Sequence, residues 1–277
     1  MTVLQALSKA KEMLNNVPDR DVDAAWIVCA SSGLSRAQLH LDRDKELTEK
    51  QEQLLNEILL RRQKREPLQY IFGSVPFLNV EIKTDSRALI PRDETAYLCE
   101  NAISIIKQKN YSSILDLCTG SGAIAVCLKV NLPKASVSAS DISASALTLA
   151  KENAQANNAE IEFIESDLFA EILSRKFDCI ISNPPYIPTK DIEKLEKELT
   201  FEPQNALDGG SDGLDFYRDI IDEAKDHLNL GGMLMFEIGF DQADAVKALL
   251  AKKGFTDIFL LKDYSNLDRI VYCFYEE

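Results

Sequence analysis

Histidine is nearly absent from this sequence: His40 and His227 are the only two among 277 residues. A Ser-His-Asp triad or a histidine-rich metal site is therefore hard to assemble, since imidazole is the usual base and the commonest metal ligand near neutral pH. Both histidines read as surface or hydrogen-bonded residues without a role. The six cysteines (Cys29, Cys99, Cys118, Cys127, Cys179, Cys273) form no Cys-x-x-Cys pair, and most lie in apolar runs. They read as reduced core thiols rather than as a disulfide framework or a zinc site. No apolar run approaches the roughly 20 residues that cross a bilayer. The first ten residues lack the charged-then-apolar layout of a signal peptide. No Gly-Lys-Ser or Gly-Lys-Thr follows a glycine loop, which excludes a P-loop. Internal repeats and low-complexity stretches are missing too. These absences leave a soluble cytoplasmic protein with no membrane contact and no metal.

What is present is acidic and uneven. Residues 1–80 carry equal numbers of basic and acidic side chains, so the whole net charge of −14 lies in the remainder. An acidic body disfavours nonspecific attraction to phosphates, and no direct nucleic-acid partner is expected. The first 65 residues contain only helical periodicity: Val3, Leu4, Leu7, Ala10 and Leu14; Val22, Ala25, Trp26 and Cys29; Leu47, Leu54, Leu55, Ile58 and Leu59. Asp21 and Thr48 suit N-caps, and Gly33 suits a helix stop. The run Arg61-Arg62-Gln63-Lys64-Arg65 closes the last of these helices. Cations suit the negative end of a helix dipole, and that reading is preferred here to a docking patch for an acidic or RNA-bearing partner.

A connector follows, punctuated by Pro67, Gly73, Pro76 and Pro91, with a small hairpin expected around the alternating residues 77–82. A helix is predicted over 94–107. From residue 112 strands and helices alternate: strands at 114–117, 135–140, 161–164, 177–182, 233–238, 258–261 and 270–275, helices from 123, at 144–156, 192–199, 216–227 and 243–252, and a short helix between the third and fourth strands. Apolar strands alternating with helices mean a parallel sheet covered on both faces, and the helix-free final pair implies one antiparallel strand.

The first strand runs into Asp116-Leu117-Cys118-Thr119-Gly120-Ser121-Gly122-Ala123. Glycines at 120 and 122 let the backbone turn tightly and approach a ligand, and ligands of such sheets lie beyond the carboxyl ends of the strands. The series from Gly120 reads G-S-G-A-I-A, with alanine where a dinucleotide site has its third glycine or alanine, a weak discriminator. Asp141 ends the second strand about 20 residues past the loop, where a carboxylate accepts both hydroxyls of a ribose. Asp167 and Leu168 follow the third strand, the acid placed to meet an adenine amine. Alone, each aspartate is most simply a solvated turn residue; together with the glycine loop they suit an adenosine ligand.

The fourth strand delivers Asn183-Pro184-Pro185-Tyr186 to the same edge. The Asn183 side chain and the Pro184 carbonyl supply two rigid acceptors, and proline has no N–H to compete. Tyr186 offers a flat face with its hydroxyl free for a polar partner. Two acceptors beside a flat face select an NH2 on a planar system: a carboxamide or the exocyclic amine of a base. A rigid strand-capping turn is the plain alternative for these four residues.

Cys118-Thr119-Gly120-Ser121-Gly122, Asp141, Asp167 and Asn183-Pro184-Pro185-Tyr186 together resemble a class I S-adenosylmethionine-dependent methyltransferase acting on nitrogen. Arg65-Glu66-Pro67-Leu68-Gln69-Tyr70-Ile71-Phe72-Gly73 and Leu89-Ile90-Pro91-Arg92 resemble the connector of the HemK/PrmC family. Glu202-Pro203, Ala206-Leu207 and Gly210-Ser211-Asp212-Gly213-Leu214 resemble that family's segment after the asparagine motif. The resemblance implies an α/β fold: a Rossmann-like, seven-stranded class I methyltransferase sheet with a small N-terminal helical bundle. Its domains are a substrate-binding bundle at 1–72, a connector with a hairpin at 73–92 and a methyltransferase domain at 93–277.

The resemblance also implies the activity: methyl transfer from S-adenosylmethionine to the side-chain amide of the glutamine in the Gly-Gly-Gln motif of peptide chain release factors, by a monomer. Asn183, Pro184 and Tyr186 would be catalytic, with Pro185 also at the substrate. Cys118, Thr119, Gly120, Ser121, Gly122, Asp141, Asp167, Leu168 and Asn183 would hold the cofactor. The sequence departs from the family at Cys118, where glycine is usual, at Asp93 and Ala96, where the connector usually has proline and glutamate, and at Leu168, often aromatic. A methyltransferase acting on an amine of DNA or RNA or on a ribosomal-protein glutamine, and a non-catalytic nucleoside-binding adaptor, are the competing readings.

Overall fold

Hydroxyl, two residues, glutamine: this pattern opens three of the helices near the N-terminus. The computed structural model describes residues 1–276, so Glu277, the last residue of the expected methyltransferase domain, lies outside the described residues. These fall into two compact units, Met1–Gly73 with Glu196–Phe201, and Ser74–Leu195 with the chain from Glu202 onward. The first unit contains α1 (Val3–Met13), α2 (Arg20–Ser32), α3 (Arg36–Leu41), α4 (Glu49–Gln63) and α5 (Leu68–Phe72). Thr2 with Gln5, Ser35 with Gln38 and Thr48 with Gln51 form capping boxes at α1, α3 and α4, each satisfying two otherwise unpaired N–H groups. Asp21 is not a cap: α2 begins two residues earlier, after Asp19, and Asp21 lies in its first turn. Gly33 ends α2 in the left-handed conformation its missing Cβ permits.

The expected inward face of α2 is also displaced. Val22 and Trp26 are exposed, with the Arg36 guanidinium 5.3 Å from the Trp26 ring centre, while Ala24, Ile27 and Val28 are buried. The reason is Asp23, which turns inward to pair with buried Arg62 at 2.7 Å. Arg62 also meets Glu198 at 2.8 Å, Arg65 meets the same carboxylate, and Arg61 pairs with Glu66. Three of the four cations in the basic run are thus committed to ion pairs, and two of them tie down Glu196–Phe201, a segment the sequence placed in the methyltransferase domain.

The second unit starts with a hairpin, β1 (Ser74–Phe77) and β2 (Val80–Lys83). Its two-residue turn, Leu78-Asn79, with Leu78 at φ 52°, falls inside the stretch that alternates like a single strand. Then come α6 (Asp93–Lys109), β3 (Ser113–Leu117), α7 (Ala123–Asn131), β4 (Ser136–Asp141), α8 (Ala144–Ala156), β5 (Glu162–Glu165), β6 (Phe177–Ser182), α9 (Thr189–Ile192), α10 (Asp215–Glu223), β7 (Leu228–Glu237), α11 (Ala243–Lys252), β8 (Thr256–Lys262) and β9 (Asp268–Phe274). Turns replace the short helix expected between β5 and β6. The predicted helix at 192–199 is instead α9 and a 3-10 turn at Lys197–Phe201, neither burying a residue: Ile192, Leu195 and Leu199 have helical spacing but stay only half-buried, and a helix without a packed face gains little from tertiary contacts.

The sheet order is β5-β4-β3-β6-β7-β9-β8, parallel except where β9 inserts antiparallel between β7 and β8. Strand alternation sorts the core into two layers. Ile114, Cys179, Ile181, Met233 and Met235 face α6 and α7; Leu115, Leu117, Ile180, Leu234 and Phe236 face α10 and α11. The chain winds outward from β3 through β4 to β5, then returns to β6 on the other side of β3. The β3/β6 boundary is therefore the switch point, where a crevice opens at the carboxyl ends of the strands.

Candidate active site

A cavity of about 300 Å³ occupies that crevice. Its floor is the turn after β3. Cys118 enters it in the left-handed conformation, φ 62°, where Gly120 and Gly122 follow at 55° and 80°. Asp116, the next-to-last residue of β3 and fully buried, braces the loop from below: its Oδ2 accepts from the Thr119 hydroxyl and from the Ala125 N–H at 3.1 Å. Burial pushes the Asp116 carboxyl up to about 7. Burial, then neighbouring Asp141, raise the Cys118 thiol, which stays protonated and unreactive at neutral pH.

Asp141, at the end of β4, accepts from the Gly120 N–H at 2.8 Å and the Ser143 N–H at 2.9 Å. Burial holds its carboxyl above the ordinary value against these bonds. The carboxylate still has acceptor capacity for a ligand hydroxyl. Beside it, the Ser140 Oγ is buried without a partner among the described residues. Asp167 is exposed on the rim after β5, with Leu168 next to it. A second wall comes from the connector and the stretch after Glu202. The Glu202 carboxylate accepts from the Ile90 N–H at 2.9 Å and from Arg92, which aligns Pro91 and Pro203 along the cavity.

Of the residues singled out from sequence, Cys118, Thr119, Gly120, Ser121, Asp141, Asp167, Leu168, Asn183 and Pro185 line this one cavity. Gly122, Pro184 and Tyr186 adjoin these residues in the chain without lining the cavity. Gly122 is the seam between α7 and α8: a Cβ there would lie 2.9 Å from that of Ala150. Tyr186 packs on the α10/α11 layer of the core, and its hydroxyl, expected to be available to a polar partner, donates to Glu237 at 3.5 Å. Its carbonyl accepts from Gln242, which also binds the Gly213 carbonyl and the Gly239 N–H. The glycines of 209–213 fit against this loop so closely that a Cβ on Gly209 would stand 2.7 Å from the Tyr186 Cα.

Asn183 donates its Nδ2 to the Thr95 hydroxyl at 3.2 Å. Among the described residues its Oδ1 receives no donor. Thr95 and Glu237 escaped the sequence reading. A buried hydroxyl in the first turn of a helix carries no motif, but Glu237 had a signal: a lone acid ending the apolar run Met233-Leu234-Met235-Phe236. Both histidines stay outside the site. His227 stacks on Phe169 with ring centres 4.4 Å apart and bonds the Arg175 carbonyl, and His40 is exposed.

A doubly wound, seven-stranded sheet with one antiparallel strand, a glycine loop at its switch point and acids ending the next two strands is the architecture of a class I methyltransferase. Residues 100–242 match the methyltransferase small domain, and residues 5–73 match the PrmC N-terminal domain. A release factor glutamine methyltransferase of Geobacter sulfurreducens is 40% identical over 256 residues, 92% of this chain and 89% of that protein. Another from Thermodesulfovibrio yellowstonii is 38% identical over 274 residues, 97% of each chain. A crystal structure of a methyltransferase from Pyrococcus furiosus shares the fold, with a TM-score of 0.54 at 18% identity over 72% of this chain and 91% of that one. The chain belongs to the release factor glutamine methyltransferase family.

Proposed function

We propose that the protein transfers a methyl group from S-adenosylmethionine to the side-chain amide nitrogen of a glutamine in peptide chain release factors. The observation that carries this reading is the Asn183 amide, held by Thr95 with its oxygen unclaimed at the lip of the cavity. The cavity suits the donor: Asp141 and Asp167 for ribose and adenine, the open backbone at Gly120, and an unpartnered Ser140 hydroxyl as a further polar contact. When bound, S-adenosylmethionine supplies a methyl group activated by a positively charged sulfur.

A carboxamide nitrogen is a weak nucleophile because its lone pair is delocalised into the carbonyl. The Asn183 Oδ1 and the Pro184 carbonyl accept its two N–H bonds and fix its position. Holding reactants in register lowers a barrier by as much as roughly 7–11 kcal/mol in favourable systems. As the nitrogen gains its methyl group it becomes positive, and the same two oxygens stabilise that charge. The extra proton then leaves to water, so no strong base is required. The helical unit, matching the family's N-terminal domain, is assigned to holding the protein substrate. Six free thiols fit the reducing cytoplasm where release factors act. No helix among the described residues is long and apolar enough to cross a membrane.

Asn183→Ala is expected to slow methyl transfer about 10²–10³-fold, by analogy with loss of one oxyanion-hole donor, while donor binding measured by calorimetry persists. The assay is labelled S-adenosylmethionine with purified release factor in one arm and DNA or RNA in another. Label appearing in nucleic acid alone, or an undiminished Asn183→Ala enzyme, sinks the proposal.

A further inference from the structure

Glu237 ends β7 with 1% of its surface exposed, behind the cavity wall. Its two oxygens reach both sides of the asparagine motif. Oε2 accepts the Thr95 hydroxyl proton at 2.7 Å, and Oε1 accepts from the Tyr186 hydroxyl at 3.5 Å. Thr95 has one proton to give. Because it goes to the carboxylate, Thr95 turns only lone pairs toward Asn183, 3.2 Å away. An amide has a donating end and an accepting end, and only the NH2 end satisfies a lone pair. The carbonyl end of Asn183 must then face the other way, toward the cavity.

We infer that Glu237 and Thr95 are positioning residues: an ionised carboxylate claims the Thr95 proton, and Thr95 thereby turns the Asn183 oxygen toward the amide to be methylated. This rests on the proposed role of Asn183 as an acceptor. The chain runs through three elements distant in sequence, α6, β6 and β7, which is why it invites no motif.

The relay has a built-in dependence on protonation. The charged and titratable groups facing Glu237 are Arg269 from β9, Glu94 and Cys99 from α6, Tyr186 after β6, and Tyr217 from α10, whose hydroxyl donates to the Glu237 carbonyl at 2.8 Å. Burial raises the carboxyl most, Thr95 and Arg269 oppose it and Glu94 adds to it, leaving it pushed up to about 7. When Glu237 takes a proton as pH falls, it becomes a donor to Thr95. The Thr95 proton is displaced toward Asn183, and the amide turns its oxygen inward to meet it. The cavity then faces an NH2, which cannot accept the substrate N–H bonds. Activity therefore falls on the acid side of about pH 7.

The test uses the full-length enzyme with release factor and labelled S-adenosylmethionine, with Asn183→Ala as reference. Thr95→Val keeps the shape of the side chain and removes the hydroxyl. It is expected to lower kcat about 10–100-fold, by analogy with loss of the hydrogen-bond partners that orient metal ligands, with donor affinity by calorimetry unchanged. Thr95→Ser, which keeps the hydroxyl, returns most of the lost rate. Glu237→Gln removes the titrating group, so the acid limb of the kcat profile near pH 7 disappears, on a lower plateau because an amide at 237 binds Thr95 in either orientation. A full rate in Thr95→Val beside a dead Asn183→Ala overturns the relay alone. So does an unmoved acid limb in Glu237→Gln, a measurement that stands even if Thr95→Val fails to fold. An active Asn183→Ala enzyme overturns the reading beneath it instead.

Discussion

Cys118 keeps its backbone at φ 62°, a conformation that costs a residue with a side chain roughly 1–2 kcal/mol. Glycine relieves that strain, while adding about 0.5–1 kcal/mol of unfolded-chain entropy to be lost. Cys118→Gly is thus expected to stabilise the protein by up to about 1 kcal/mol in urea unfolding, with donor binding retained; destabilisation would mean that the side chain's packing outweighs the strain. Asp141 illustrates a different point at this scale. Its place at a strand end was readable from sequence, but its double duty was not: the carboxylate expected at a ribose also ties the glycine loop to β4 through Gly120. Asn183 was legible as an acceptor because of its neighbours in sequence. Which way its amide points was not, since that is decided by Thr95 and Glu237, 88 and 54 positions away.

Strands β3, β6 and β7 were easy to place because they are apolar on both faces, as a sheet sandwiched between helix layers demands. The 192–199 stretch spaces Ile192, Leu195 and Leu199 as a helix would but buries none of them, and no continuous helix forms; the hairpin expected around 77–82 is present, with its turn at Leu78-Asn79 inside the alternating run. The seam between α7 and α8 depends on Gly122, which combines φ 80° with a gap too small for a methyl group. Gly122→Ala therefore incurs backbone strain of about 1–2 kcal/mol and overpacking of about 1–3 kcal/mol. Thermal unfolding should show a loss of about 2–5 kcal/mol, the sum of those two effects. A stability within 1 kcal/mol of wild type would show that the helices part without cost.

On the scale of the whole molecule, the net negative charge lies after residue 80, and the helical unit, whose residues 1–73 are neutral by composition, pairs its buried charges internally. Arg62 sits there between two carboxylates, Asp23 and Glu198. Burial raises the Asp23 carboxyl despite Arg62, so the pair is held at some cost. Arg62→Met should destabilise the protein by about 3–5 kcal/mol in thermal unfolding, because it leaves a buried charge unmatched. Adding Asp23→Leu should recover part of that loss, and no recovery would mean that the arginine acts through its packing alone. The sequence by itself determined the class of fold, the glycine loop with its acids, and the asparagine motif. These depend on local patterns: strand alternation, turn chemistry and the spacing of a few polar residues. Only the tertiary structure decided which face of α2 is buried, that Glu196–Phe201 joins the helical unit, and that Thr95 and Glu237 stand behind Asn183. Those outcomes depend on pairing buried charges and protons across the chain, and the energy of such a pairing belongs to neither partner's local sequence.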